Sequence, residues 1–368
     1  MIRPPHRSSH RKHKAIVVGL LGVALASLFS LRVLSAVKWD ATVFVGVGGE
    51  ANATRQYAED RLGPVFLRGG QGHDGKYFFV QANDPWILEP RVNIAVVDRP
   101  LYRSQRMLYP LLAGAGGAFS PGAIVWALLA INVVAMGVGT WATAMIAQSM
   151  GVSPWWGLAF TLNPGVISEL IIDGAGIVAS AAAFGAVALI LRKRLGWGIL
   201  LLVLAALTRE AMLIAAVGSA WWLWRQRDKT PEAIMVVGMP IAVVVIWAVY
   251  VRWRVGWAAG VSEVREIGWP FFGFTQAVET WIGDPLDLAI GVVLLTLLLT
   301  FARGTLKSRD LVGWAFLGFV GLGLVFTKQV WESYFDITRA IAPVITAFVL
   351  LVVVSKGEPR RTGVRAAP

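Results

Sequence analysis

Cysteine is missing altogether from the 368 residues. Disulfides, thiolate metal centres and cysteine nucleophiles are therefore excluded, and nothing can be read about redox compartment. Charge is scarce as well: Asp, Glu, Lys and Arg make up 15% of the chain, against roughly 25% in soluble domains. Of four histidines, only His73 lies outside the basic leader, and no His/Asp/Glu cluster has metal-ligand spacing. There is no Walker loop or Gly-x-Ser-x-Gly elbow. No internal repeat is convincing, and the inverted pair of broken segments found in many transporters is missing.

The chain is filled instead with apolar residues: 56% are hydrophobic, with 17 Trp and 17 Phe, and mean hydropathy is +0.63. Continuous apolar runs near 20 residues predict an all-α, polytopic helical membrane protein rather than a barrel, whose strands would alternate. A soluble Rossmann enzyme, a collagen-like repeat and long disorder are excluded on the same grounds. The net charge of +12 sits in short clusters between apolar runs, as membrane topology requires. It forms no single stripe, so nucleic acid is not an expected partner.

Residues 1–14 read as a basic cytoplasmic leader, 15–355 as one transmembrane domain and 356–368 as a cytoplasmic tail. The first run, 15–37, is too long for a signal-peptide core and lacks a small-x-small cleavage site, which predicts an uncleaved anchor. Residues 38–105 form an extracytoplasmic loop longer than a connector needs. Further runs lie near 122–147, 152–171, 174–191, 232–251, 286–302, 311–328 and 337–355. Together they predict about eight full crossings and put every basic cluster inside. Those clusters are Arg192-Lys193-Arg194, Arg225/Arg227/Lys229, Arg303/Lys307/Arg309 and Arg360/Arg361. The expected location is the inner (plasma) membrane, multi-pass, with both termini cytoplasmic.

Two segments do not read as simple crossings. Residues 196–224 have basic clusters at both ends and Thr208-Arg209-Glu210 in the middle. Two half-helices of roughly 18–20 Å, both opening to the cytoplasm, keep both clusters inside and place Arg209 and Glu210 at a deep apex. Broken helices are tolerated only against protein or a wet cavity. Residues 107–119, with Pro110 and a run of glycines, read as a re-entrant or interfacial segment on the outer side.

The candidate chemistry lies in three places. In Gln71-Gly72-His73-Asp74-Gly75-Lys76-Tyr77-Phe78-Phe79, a carboxylate between glycines and beside an aromatic stretch suits a reactive base. The same spacing suits Asp74 as the cap of a helix starting at Lys76. Arg103 and Arg106 lie one turn apart before an apolar run, the spacing of a phosphate grip or of ordinary interface anchors. Arg209 and Glu210, ionisable inside the membrane, are a functional hypothesis by default, with a structural salt bridge as the competing reading. Glu169, Asp173, Asn163-Pro164, Lys328, Glu332, Tyr334, Asp336 and Arg339 fall at outer helix ends, where such residues more often terminate helices than form sites.

A basic leader, one crossing and a long outer loop with an Asp-Gly-aromatic element resemble the GT-C membrane glycosyltransferases. More narrowly, His73-Asp74-Gly75-Lys76-Tyr77-Phe78, Tyr102-Arg103-Ser104-Gln105-Arg106-Met107-Leu108-Tyr109-Pro110 and Leu207-Thr208-Arg209-Glu210-Ala211 are similar to elements of a bacterial branch of that superfamily. The resemblance covers about residues 15–355. It implies transfer of a sugar from a polyprenyl-phosphate donor to an extracytoplasmic glycan, lipid or protein acceptor, with inversion and with Asp74 as general base. It further implies substrate contacts from His73, Lys76, Arg103, Gln105, Arg106, Tyr109, Arg209 and Glu210, with Glu210 orienting Arg209 or binding a sugar hydroxyl. Asp40 stands alone where several relatives carry a paired acid, so a divalent metal is compatible with the resemblance but not required by it. A lipid-linked-substrate transporter or flippase, and a non-catalytic envelope-assembly protein, are the competing functions. The transporter needs the buried pair to line a path open alternately to both faces. The assembly protein tolerates loss of Asp74, Arg103 and Arg106 together.

Overall fold

The computed structural model describes residues 7–226, 229–256 and 267–356. The leader's first six residues, Arg227 and the 357–368 tail with Arg360 and Arg361 lie outside that set. Among the described residues the chain is helical without strands, and it has only isolated bridges such as Val47 with Gly72. Helix α1 (Arg7–Ala36) is followed by a run of short helices that includes α2 (Gly75–Asn83) and α3 (Leu108–Gly116). Next come α4 (Pro121–Ser149), α5 (Pro164–Ile171), α6 (Gly176–Leu191), α7 (Leu195–Thr208) and α8 (Leu213–Trp224). The last elements that matter to the site are α9 (Thr230–Val255), α10 (Pro285–Ser308), α11 (Leu311–Val325), α12 (Tyr334–Ala340) and α13 (Ala342–Lys356).

Among the described residues, four helices are long and apolar enough to cross a membrane: the His13–Ala36 part of α1, α4, α9 and α10. A fifth span is added if α12 and α13, bent by 69°, are taken together. Their outer faces carry bare hydrocarbon; Ile246 and Trp253 on α9 are 69% and 71% exposed. A soluble monomer does not leave such apolar area to water. These features are consistent with a multi-pass membrane protein.

Two expected runs depart from a single helix. The 152–171 run is broken into Pro154–Gly157, Leu158–Thr161 and α5. Its second break is set by Asn163, whose side chain accepts from the Gly165 N–H, with Pro164 at the first helical position; both signals start a new helix. The 337–355 run bends at Ile341, one residue before α13. The two breaks meet, with the Asn163 amide donating to the Ala342 carbonyl.

Close approaches at small residues fix helix directions. Gly198 on α7 faces Ile190 and Ala186 on α6, while Gly185 faces Leu201, so α6 and α7 run antiparallel through the Arg192–Arg194 turn. Gly218 and Gly318 similarly set α8 antiparallel to α11 against Trp314 and Ile214. A missing Cβ lets backbones approach this closely, as at packed membrane helices. The C-terminal end of α9 docks on the first loop: Trp247 donates to the Ser104 carbonyl, Tyr250 to that of Trp86 and Arg254 to that of Ile87. The chain therefore rises along α7, turns at 209–212 and returns along α8, with its basic turns at the far end. That turn meets the first loop.

Candidate functional site

Helix α2 starts immediately after Asp74 because Gly75 fits where nothing larger would. A Cβ there would lie 2.5 Å from the Ile172 carbonyl and under 3 Å from those of Val45 and Phe44. Asp74 itself does not cap the helix. Its backbone is helical and its side chain makes no cap hydrogen bond, so the capping reading is corrected. The carboxylate turns instead to arginine: Arg103 Nη1 donates to Oδ1 at 2.7 Å, and Arg339 Nη2 to Oδ2 at 3.4 Å.

From there an ion network runs across the molecule. Arg103 also donates through Nε to Asp98 at 2.7 Å, and its guanidinium lies 4.2 Å from the Tyr77 ring centroid. Arg339 reaches Glu169 at 3.1 Å and Asp336 at 3.2 Å. Glu169, only 3% exposed, also receives Arg209 Nη1 at 3.5 Å and the Gly176 N–H at 3.1 Å. Arg106 donates to both oxygens of Glu210, at 3.3 and 3.2 Å, and to the Tyr102 hydroxyl. The apex pair is thus re-partnered relative to expectation: Glu210 holds Arg106 rather than orienting Arg209, and Arg209 turns to Glu169. Backbone direction explains this. Arg209 is extended, while Glu210 begins a 3₁₀ turn, so consecutive side chains diverge.

Arginines 103, 106 and 339 are at most 13% exposed as side chains, whereas Asp74, Glu210 and Asp98 retain 28%, 33% and 45%. The cations are embedded, while these three acids keep part of their surface exposed and Glu169 does not. Burial alone would raise the Asp74 carboxyl. Arg103, Arg339 and Arg106 together outweigh it and hold Asp74 well below the usual carboxylate range. His73, against the Phe335 ring at 5.7 Å, is lowered by burial and then by Arg68 and Arg339, so it sits neutral beside the network.

Other expected contacts fall elsewhere. Lys76 is 4% exposed, donates to the Gln71 carbonyl and lies over the Tyr77 ring. Tyr109 is fully buried, donates to the Leu128 carbonyl, accepts from Asn132 and meets Phe78 edge-on at 5.3 Å. Both are packing residues in this arrangement, because an apolar helix segment against α4 must satisfy its polar atoms internally. Gln105 is half-buried, next to the network in sequence, and makes no side-chain hydrogen bond to the described residues. Asp98 went unnoticed in the sequence, and Arg339 and Glu169 stood only among helix-end residues. The missed signal for Glu169 and Arg339 is that each lies in the last turn of a helix adjoining a break; Asp98 sits between two short helices and carries no such signal.

Asp173 provides a second acid one step behind the site. It is fully buried in a left-handed backbone conformation, φ 47°. The Asn132 amide lies beside it, yet among the described residues neither carboxyl oxygen has a hydrogen-bond partner of ordinary geometry. Burial pushes this carboxyl well above its usual range.

Among the described residues no group of three or more His, Asp or Glu could hold a metal ion. The network's acids are also each taken up by arginine, so these residues do not fit a resident divalent ion. Asp40 caps its own turn through the Thr42 N–H and hydroxyl. No family model, curated protein or solved structure matches the chain.

Proposed function

We propose that this protein is a GT-C-type membrane glycosyltransferase. It would move a sugar from a polyprenyl-phosphate donor to an extracytoplasmic glycan, lipid or protein acceptor, with inversion. The observation that carries the reading is one continuous network, from the outer-loop Asp74 through Arg103 and Arg339 to Glu169 and Arg209. Arg106 and Glu210 lie alongside it. In this reading the chain makes about eight crossings of the plasma membrane, both termini are cytoplasmic, and the 209–212 turn is the apex of a half-helix hairpin. Resemblance to the GT-C superfamily supports it at the same residues.

The charge balance suggests how the reaction runs. A sugar-phosphate diester arrives with one negative charge, and its leaving group departs as a phosphate monoester with two. The arginines are already paired to carboxylates, so the phosphate must compete for them. As Arg103 and Arg339 turn to phosphate oxygens, Asp74 loses the partners that depress its basicity. Asp74 then accepts the proton of the acceptor hydroxyl while that oxygen bonds to the anomeric carbon. The anomeric C–O bond to phosphate breaks, and its electron pair leaves with the lipid phosphate. The guanidiniums stabilise the charge that develops there.

The test is transfer from a radiolabelled native donor-lipid extract in membranes carrying the intact protein or Asp74→Asn. General-base loss predicts a fall of roughly 10²–10⁴-fold, with the protein still present and folded at normal levels. Transfer at the intact rate by Asp74→Asn would remove the base assignment. A network that only clamps helices would show equal losses of thermal stability and activity.

A further inference from the structure

The first loop contains a polar cleft, of about 180 Å³, at the C-terminal end of α2, the opposite end from Asp74. Tyr57, Arg61, Asn83, Asp84, Glu89 and Asn93 supply its polar wall, and Val80, Leu88 and Val92 its apolar one. Asn93 lines the cleft at 5% exposure, and its Oδ1 has no partner among the described residues and no accessible surface of its own; an unpaired buried amide oxygen costs free energy, which turning the amide toward a guest would recover. The wall is also pre-set. Asp84 is held by the Leu88 and Glu89 N–H groups, each at 2.8 Å. Arg61 lies 3.8 Å over the Tyr57 ring.

Charge decides which guest fits. Two carboxylates face one guanidinium, so the cleft repels a phosphate or carboxylate. A simple amine would need acceptors only, leaving Arg61 and the amide donors idle. Hydroxyl groups both donate and accept, as do the amides and phenol here. The apolar strip suits the C–H face of a sugar ring. At roughly 10–15 Å³ per water in such space, the cleft takes a ring-sized guest rather than a lipid chain.

We propose that this cleft is a binding site for one neutral saccharide unit. Resting on the transferase reading, that unit belongs to the acceptor glycan and lies away from the reacting hydroxyl. Helix α2 separates Asn83 from Asp74 by nine residues, roughly 13 Å along its axis.

The experiment is saturation-transfer NMR and titration on the full chain in lipid nanodiscs. The probes are methyl α-mannopyranoside, methyl β-galactopyranoside, methyl β-glucopyranoside and methyl α-arabinofuranoside, with ethanolamine and inorganic phosphate as controls. At least one glycoside should saturate, and phosphate should not bind. Glu89→Gln and Arg61→Ala, both at exposed positions, should weaken it by up to about tenfold each, as should Asn93→Ala if it folds. Asp74→Asn should bind the glycoside as the intact protein does, which separates this claim from the catalytic one. Failure of every glycoside to bind, preference for ethanolamine, or affinity unchanged within twofold in both surface variants would overturn the proposal.

Discussion

Asp74 and Asp173 each adjoin one backbone contact, that of Gly75 with the Ile172 carbonyl, yet the surroundings of their carboxyls oppose each other. Asp74 receives two arginines and feels a third. Asp173 is sealed in with an amide, feels one arginine, Arg68, and receives no hydrogen bond of good geometry among the described residues. One is held as an anion at an accessible position, and the other is driven toward its neutral acid in the packing. Proximity to a site is therefore no guide to which acid does chemistry; the count of cations and the access to solvent are.

The largest test of this contrast is Arg339→Met. Arg339 joins Asp74, Glu169 and Asp336, and its loss strands Glu169, which is 3% exposed. Stranding one partner of a buried pair costs about 3–5 kcal/mol. Arg209 and the Gly176 N–H remain on Glu169, so the low end is expected, read as a fall in thermal midpoint in nanodiscs. A midpoint within error of the intact protein would mean that the network does not hold the bundle together.

Gly75→Ala attacks the backbone contact that adjoins both acids. Its methyl would collide with three backbone carbonyls, none of which can rotate away. Overpacking of this kind costs about 1–3 kcal/mol. It should also shift Asp74 off its arginines, so transfer should fall by more than the loss of folded protein explains. Equal losses would make Gly75 a packing residue alone.

Much of this was legible beforehand, for uneven reasons. The break at Arg209 was readable because an ionisable pair inside an apolar run is expensive and basic clusters on both flanks allow only a returning path. The convergence of Asp74, Arg103 and Arg106 was expected only from the GT-C resemblance, since spacing alone equally suited a helix cap and interface anchors. The partners were not. Glu169 and Arg339 are 170 residues apart, and nothing local distinguishes a helix-end acid that meets an arginine from one that meets water. The capping geometry of Asp74 likewise depended on Arg103, which sits 29 residues downstream. The bend at Ile341 and the break at Asn163 fell inside apolar runs long enough to read as spans, and tertiary contacts placed both.

Neutralising each acid separately sharpens the comparison. Asp74→Asn removes charge-assisted bonds from Arg103 and Arg339 and should destabilise by about 1–3 kcal/mol. Asp173→Asn replaces an acid already driven neutral by an isosteric amide, so its cost at neutral pH should stay under about 1 kcal/mol and can have the opposite sign. Equal losses at the two positions would erase the distinction.

Acidity gives the finest discrimination, because the two shifts have opposite signs. The depressed Asp74 carboxyl stabilises the fold above its unfolded value near 3.9 and loses that contribution only as pH falls further, toward its native value. The raised Asp173 carboxyl contributes fully below about 3.9 and loses its contribution as pH climbs toward its elevated native value. Relative to the intact protein, Asp173→Asn should therefore gain stability between pH 4 and 8, by at most about 1.4 kcal/mol per pH unit. Asp74→Asn should show a constant deficit over that range, shrinking only below pH 4. Denaturant unfolding followed at several pH values reads both slopes. A flat difference for Asp173→Asn would mean that this buried acid is ionised after all, paired by a partner that the packing around Asn132 does not reveal.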